Sequence, residues 1–172
     1  MALLRDLEGR TLELFPVDYE FTEPHRAAFS DYDANWLQVR LKVDDPHAEL
    51  SFDSAAPALL TWSFLSLGSW LRTVGSGEVE AGWYYPSDEP NLAFAWQPDG
   101  EGIILRVLLS QEFSPIDSFT EYELRLRCRQ GDLTRFAHAL ESDVARFPIR
   151  TWGDDPSTER IAQRYKQTPV RL

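Results

Sequence analysis

Between Pro57 and Val74 the chain reads PALLTWSFLSLGSWLRTV, a stretch of eighteen residues whose one charge is Arg72. Leu60, Phe64, Leu67, Leu71 and Val74 recur at steps of four, three, four and three, which stacks them on one face of an α-helix. Leu59, Trp62 and Trp70 widen that face beyond a single stripe, so such a helix must be covered on most sides. The spacing therefore predicts a buried central helix over 57–74, with Pro57 at its first position and Gly75 and Gly77 as its stop. Thr61, Ser63, Ser66 and Ser69 interrupt the run, and its length falls short of a membrane span. No membrane partner is expected.

The flanking patterns are those of strands. Thr11 to Phe21 alternate with a slip at Pro16. Because proline cannot donate to a ladder, this predicts an edge strand with a bulge or break, or two short strands. A polar loop follows, ending in Asp31, Asp33 and Asn35. From Trp36 to Val43, Leu37, Val39, Leu41 and Val43 alternate with Gln38, Arg40 and Lys42, the signature of a half-buried strand. Asp44, Asp45 and Pro46 then turn the chain into a second strand through Leu50 and Phe52, a hairpin that leads into the helix. Beyond a loop at Gly75 to Gly82, strands are expected at 92–96, at the doubly apolar run IILRVLLSQEF and at Tyr122 to Cys128, all in a meander on one sheet. Asp132 is read as the N-cap of an amphipathic helix carrying Leu133, Phe136, Ala137, Leu140, Val144 and Phe147, ended by Pro148. The Asp155–Pro156 pair opens a short third helix with Ile161 and Tyr165.

These elements make an α+β chain: one domain over 1–150, a mostly antiparallel sheet of about six to seven strands around the buried helix, and a C-terminal extension over 151–172. With 172 residues there is enough chain for a real core. The 28 acidic and 17 basic residues leave a formal net charge of −11, which repels phosphate backbones and argues against a nucleic-acid ligand. Counting along the chain, residues 1–101 hold 18 acidic and 6 basic side chains and residues 102–172 hold 10 and 11, so the acidic field belongs to the N-terminal part. The lone Cys128 excludes an internal disulfide and a cysteine zinc site. With no apolar leader in MALLRDLEGRTLEL, a cytoplasmic location is expected.

The motifs of common chemistries are missing. His25, His47 and His138 stand apart without metal-ligand spacing, and Asp31 with Asp33 lacks the glycine and terminal glutamate of a calcium loop. No GxSxG, phosphate loop or dinucleotide fingerprint occurs. The carboxylate pairs Glu78 with Glu80, Asp88 with Glu89, and Asp154 with Asp155 fall in turn-like sequence, without the shielding that a general acid needs. Cys128 lies on the apolar phase of its strand, as a buried inert thiol. Neither catalytic residues nor a cofactor are expected, and the chain reads as non-enzymatic.

Recognition features are more evident. Trp36, Trp62, Trp70, Trp83, Tyr84, Tyr85 and Trp96 crowd the middle of the chain. Trp83 and Tyr84 cannot both point inward on a strand, so one is either a candidate exposed anchor or absorbed by loop packing, as most of these rings are expected to be core. With Asp31, Asp33, Asp88 and Glu89 they form the candidate partner-binding set. Arg40, Lys42, Arg106, Arg125, Arg127 and Arg129 lie on the polar phase of strands, where pairing with Glu49 or Glu123 is expected. A small-molecule or enzymatic domain with a pocket near Trp83 to Tyr85 is the rival reading, and a homodimer through an edge strand or aromatic patch fits either.

Several phrases resemble the bacterial WapI-type immunity protein family: LLRDLEGRTLEL, NWLQVRLKV, the Ser51-Phe52-Asp53 approach to a helix with LLTW and WL, DEPNLAF at Asp88 to Phe94, ILRVLLSQEFSP, and a helix ending in ARFPIR. They span residues 3 to 150, and EPNLAF with the LRV strand after it is the most specific. The resemblance implies a small cytoplasmic protein that binds and neutralises a toxin delivered by neighbouring cells, a basic nuclease domain being the expected partner. It carries no catalytic residues over. The chain departs from the family in its tail after Arg150 and in the AAP sequence before the central helix.

Overall fold

The structure is a computed structural model that describes residues 1–80 and 89–172, together with the backbone strand Tyr84–Pro86. Its first sheet is an antiparallel meander of β1 (Ala2–Arg5), β2 (Thr11–Tyr19), β3 (Trp36–Asp45) and β4 (Leu50–Leu60), in that spatial order. Helix α1 (Thr61–Ser76) follows directly. The second sheet, also an antiparallel meander, orders β5 (Tyr84–Pro86), β6 (Leu92–Asp99), β7 (Gly102–Leu109) and β8 (Tyr122–Cys128). Helix α2 (Gln130–Val144), the short strand β9 (Arg150–Thr151), helix α3 (Pro156–Arg164) and β10 (Val170–Arg171) complete the chain, with β9 and β10 paired in parallel. The fold is α+β, with two four-stranded sheets where one was expected. Periodicity reports which face of a strand is buried, not which strands share a ladder.

One apolar core joins both sheets to α1 and α2. Leu37, Val39, Leu41 and Val43 of β3 are buried as their alternation requires, while Phe64, Leu67, Leu71 and Val74 of α1 are fully buried. β7 is an interior strand between β6 and β8. In β6 the small Ala93 and Ala95 are buried along with Leu92, Phe94 and Trp96, because both faces of that strand are covered. Among the described residues no helix is long and apolar enough to cross a membrane.

Four expectations are corrected. The central helix starts at Thr61, because Pro57 to Leu60 stay in β4 and pair with β3, Leu59 against Leu37 and Leu60 against Trp36. A bulge between Leu37 and Gln38 accommodates Pro57 in that ladder. An apolar run of this kind suits strand and helix alike, and the ladder decides between them. At the other end α1 runs through Gly75 to Ser76, and Gly77 alone caps it, with φ of +76°. β2 is not an edge along its length, since β1 covers Thr11 to Leu14; only past Leu14 does it become one, and there the bulge expected at Pro16 occurs, between Pro16 and Asp18. Asp132 is the third residue of α2, where its Oδ2 accepts the Arg129 N–H at 2.9 Å.

The C-terminal segment is tied down. Asp155 caps α3 by accepting the Ser157 N–H at 2.8 Å, with Pro156 in the first turn. Tyr165 and Ser66 share a hydrogen bond that links the end of α3 to α1.

Candidate functional site

The site is built on the loop before β3. Asn35, fully buried, donates from Nδ2 to the carbonyls of Asp31 (2.6 Å) and Arg150 (2.8 Å) and accepts the Arg150 N–H at 2.8 Å. Asp31 is buried too, and its carboxylate accepts Thr151 Oγ1–H at 2.6 Å and the Trp152 N–H at 2.8 Å. Asp31 therefore faces the protein's own C-terminal segment. Asp33 closes a local turn by accepting both the N–H (3.0 Å) and the hydroxyl (2.7 Å) of Ser30.

With the loop braced from below, its aromatic residues meet on the outside. Tyr32, 47% exposed, sits edge-on to Trp36 and to Trp62, with ring centroids 5.7 and 5.9 Å apart. Edge-to-face contacts of this kind hold rings in a fixed arrangement. Beside Trp36 lies a cleft of about 260 Å³ between Glu20, Pro57, Glu89, Asn91 and Glu112. Glu20 is placed by its own N–H, which donates to the Trp36 carbonyl at 2.8 Å. Burial raises its carboxyl above the usual range, and the charges of Glu89 and Asp33 push the same way. The charges of Asp33 and Glu89 thus both bear on Glu20.

The cleft floor is Asn91, 3% exposed. Its Nδ2 donates to the Pro57 carbonyl at 3.1 Å and to Glu112 at 3.5 Å, whereas Oδ1 accepts no hydrogen bond among the described residues. A surface of carboxylates beside the Trp36 indole suits a donor-rich cation such as a guanidinium.

Of the residues singled out from the sequence, Glu89 lines the cleft with Glu20, the charge of Asp33 bears on the Glu20 carboxyl while its oxygens hold Ser30, and Asp31 lies beneath as a brace. Trp83 and Asp88 lie outside the described residues, as does the pocket expected near Trp83 to Tyr85. Tyr84 is described only as backbone, opposite Ala95 in the ladder. Glu20, Tyr32, Asn91 and Glu112 were not singled out. For Asn91 and Glu112 the signal lay in the phrases already quoted: EPNLAF holds Glu89 and Asn91, SQEFSP holds Glu112, and NWLQ holds the Trp36 beside them, whereas Glu20 and Tyr32 fall in none of these phrases. The tertiary structure brings all three phrases to one cleft.

On the strands, several charges are internally paired. Arg40 makes a two-pronged contact with Asp53 at 2.8 and 2.7 Å, Arg106 and Arg125 both reach Glu123, and Arg127 reaches Asp99. Pairing with Glu123 is as expected, but Asp53 takes the place foreseen for Glu49. The basic residues are also divided between the two sheets. Burial pushes the Cys128 thiol up to about 12, with Asp132 and Asp6 adding to the effect, so little thiolate exists at neutral pH. Among the described residues no three His, Cys, Asp or Glu side chains gather as a metal site.

A family model described as the immunity protein WapI-like family matches residues 3–148. No curated protein and no solved structure matches the chain.

Proposed function

The chain belongs to the immunity protein WapI-like family, and from that premise we propose that it neutralises a protein toxin by binding it through the acidic cleft and the adjoining aromatic cluster. The observation that carries this reading is the convergence of Trp36, Glu89, Asn91 and Glu112, from three separate phrases of the sequence, on one exposed cleft. The partner presents basic side chains, as a nuclease domain would. An acidic field centred on residues 1–101 speeds encounter with such a surface, and Tyr32, Trp36 and Trp62 prolong the complex once formed. Inhibition comes from covering the toxin, not from chemistry, and it takes place in the cytoplasm, without direct contact to nucleic acid.

The test has two parts. Cells making an active toxin encoded beside this chain are expected to survive when the chain is co-produced; death at full expression of the folded protein overturns the toxin-neutralising reading. In surface plasmon resonance against the same toxin, Glu20→Lys with Glu112→Lys is expected to slow association about ten-fold or more and to flatten its salt dependence. Unchanged rates would move the binding face elsewhere.

A further inference from the structure

The largest cavity described, about 650 Å³, is not the acidic cleft but a second one between α1, α2 and the end of α3. Leu65 and Trp70 of α1 supply its apolar wall, and Glu141 of α2 and Arg72, both in the lining, are joined in an ion pair. Arg164 and Lys166 complete the rim. Since Glu141 and Arg72 cancel, these last two leave the cavity a formal charge of +2 in a chain whose total is −11. Neither makes an ion pair among the described residues.

Cations at the end of a helix commonly serve its dipole and its last carbonyls. Here the backbone already meets that need, because the Lys166 N–H donates to Gln163 O at 3.0 Å and the Gln167 N–H to Ala162 O at 2.9 Å. Lys166 also holds φ of +54°, a left-handed conformation in which glycine or asparagine is the usual residue. A lysine side chain is thus kept at the rim at a conformational cost, with its ammonium left over from capping. The Tyr165–Ser66 hydrogen bond keeps that rim against α1. The volume is that of a small-molecule site, and its lining combines apolar side chains with two cations.

We propose that this cavity binds a small organic anion, with a phosphate or carboxylate held by Arg164 and Lys166 and an apolar body lying on Leu65 and Trp70. Arg164, Tyr165 and Lys166 lie beyond the matched residues 3–148, so the site is assembled by the C-terminal segment and is independent of the acidic cleft. The probe is phenyl phosphate, followed by amide chemical shifts in two-dimensional NMR, with inorganic phosphate and phenol as separate arms. Phenyl phosphate is expected to bind saturably, shifting amides at 65–73 and 164–166, and to do so more tightly than either fragment. Arg164→Gln with Lys166→Gly is expected to weaken it about ten-fold. Lys166→Gly alone suits the positive φ and so keeps the fold; it is expected to weaken binding about three-fold. Inorganic phosphate binding as tightly as phenyl phosphate would overturn the apolar wall, and phenol doing so would overturn the role of the cations. The absence of saturable shifts at these amides, or equal affinity in the folded Lys166→Gly variant, would overturn the site.

Discussion

Asp31 shows how a residue's role depends on what lies beneath it. In sequence it is one of a pair of loop carboxylates; in the structure it is buried and accepts hydrogen bonds from Thr151 and Trp152, some 120 residues away. Replacing it by alanine leaves a buried hydroxyl and a backbone N–H without their charged acceptor, so Asp31→Ala is expected to cost about 3 kcal/mol in urea unfolding; a loss below about 1 kcal/mol would show that the tail is held by other contacts. Tyr19 yields a prediction of pH dependence. Its hydroxyl donates to the Pro148 carbonyl, the Arg150 guanidinium lies 3.3 Å over its ring, and burial raises the phenol to about 12 despite that guanidinium. The folded state holds the phenolic proton more tightly than the unfolded chain. The resulting stability is therefore fully present below the unfolded value near 10 and is lost as pH rises through about 12. Melting temperature should fall over that window, and Tyr19→Phe should make the decline shallower. An identical decline in the variant would place its origin elsewhere.

Two glycines of α1 let it approach α2. A methyl group at Gly75 would stand 2.9 Å from Thr134 Oγ1 and 3.0 Å from the Gln130 carbonyl, and one at Gly68 would meet the Glu141 side chain at 3.0 Å. They are seven residues apart, two helical turns, hence on one face. Gly75→Ala gains about 1 kcal/mol of helix propensity but drives a carbon into a backbone carbonyl that cannot swing aside. A net loss of about 1–2 kcal/mol is expected in thermal unfolding, and a stabilised variant would mean that α2 shifts freely. Gly68→Ala should be milder, because a flexible side chain can give way, although it disturbs Arg72 and Glu141. The sequence marked Gly75 as a helix stop. Nothing local distinguishes a glycine that ends a helix from one that admits a neighbouring helix, for that depends on a second element more than fifty residues later.

At the scale of the molecule, the tail over 151–172 is woven into the body. Ala162 and Thr158 are buried, Tyr165 bonds to Ser66, and β10 pairs with β9. A chain ending at Arg150 is expected to lose more than the Asp31 variant does, on the order of 5 kcal/mol, comparable with the whole stability of a small domain. Circular dichroism melting of the shortened chain checks this, and an unchanged midpoint would make the tail an appendage. The same reasoning applies to charge. The balance of −12 over residues 1–101 was countable beforehand, but that the charges of Asp33 and Glu89 bear on Glu20 beside Trp36 follows only from folding.

What the sequence determined on its own is whatever repeats within a few residues. The alternation at Leu37, Val39, Leu41 and Val43, the helical spacing of Phe64, Leu67, Leu71 and Val74, and the Asp155–Pro156 start of α3 are local geometry, and each reappears in the structure. The tertiary structure decided where local preferences were evenly matched and where distant segments had to meet. Ladder pairing with β3 kept Pro57 to Leu60 out of the helix, the strands before and after α1 formed two sheets, and segments from four other parts of the chain closed around Asn91. The physical reason is common to all three: burial and hydrogen bonding reward partners in space, and separation along the chain does not encode which partner will be found.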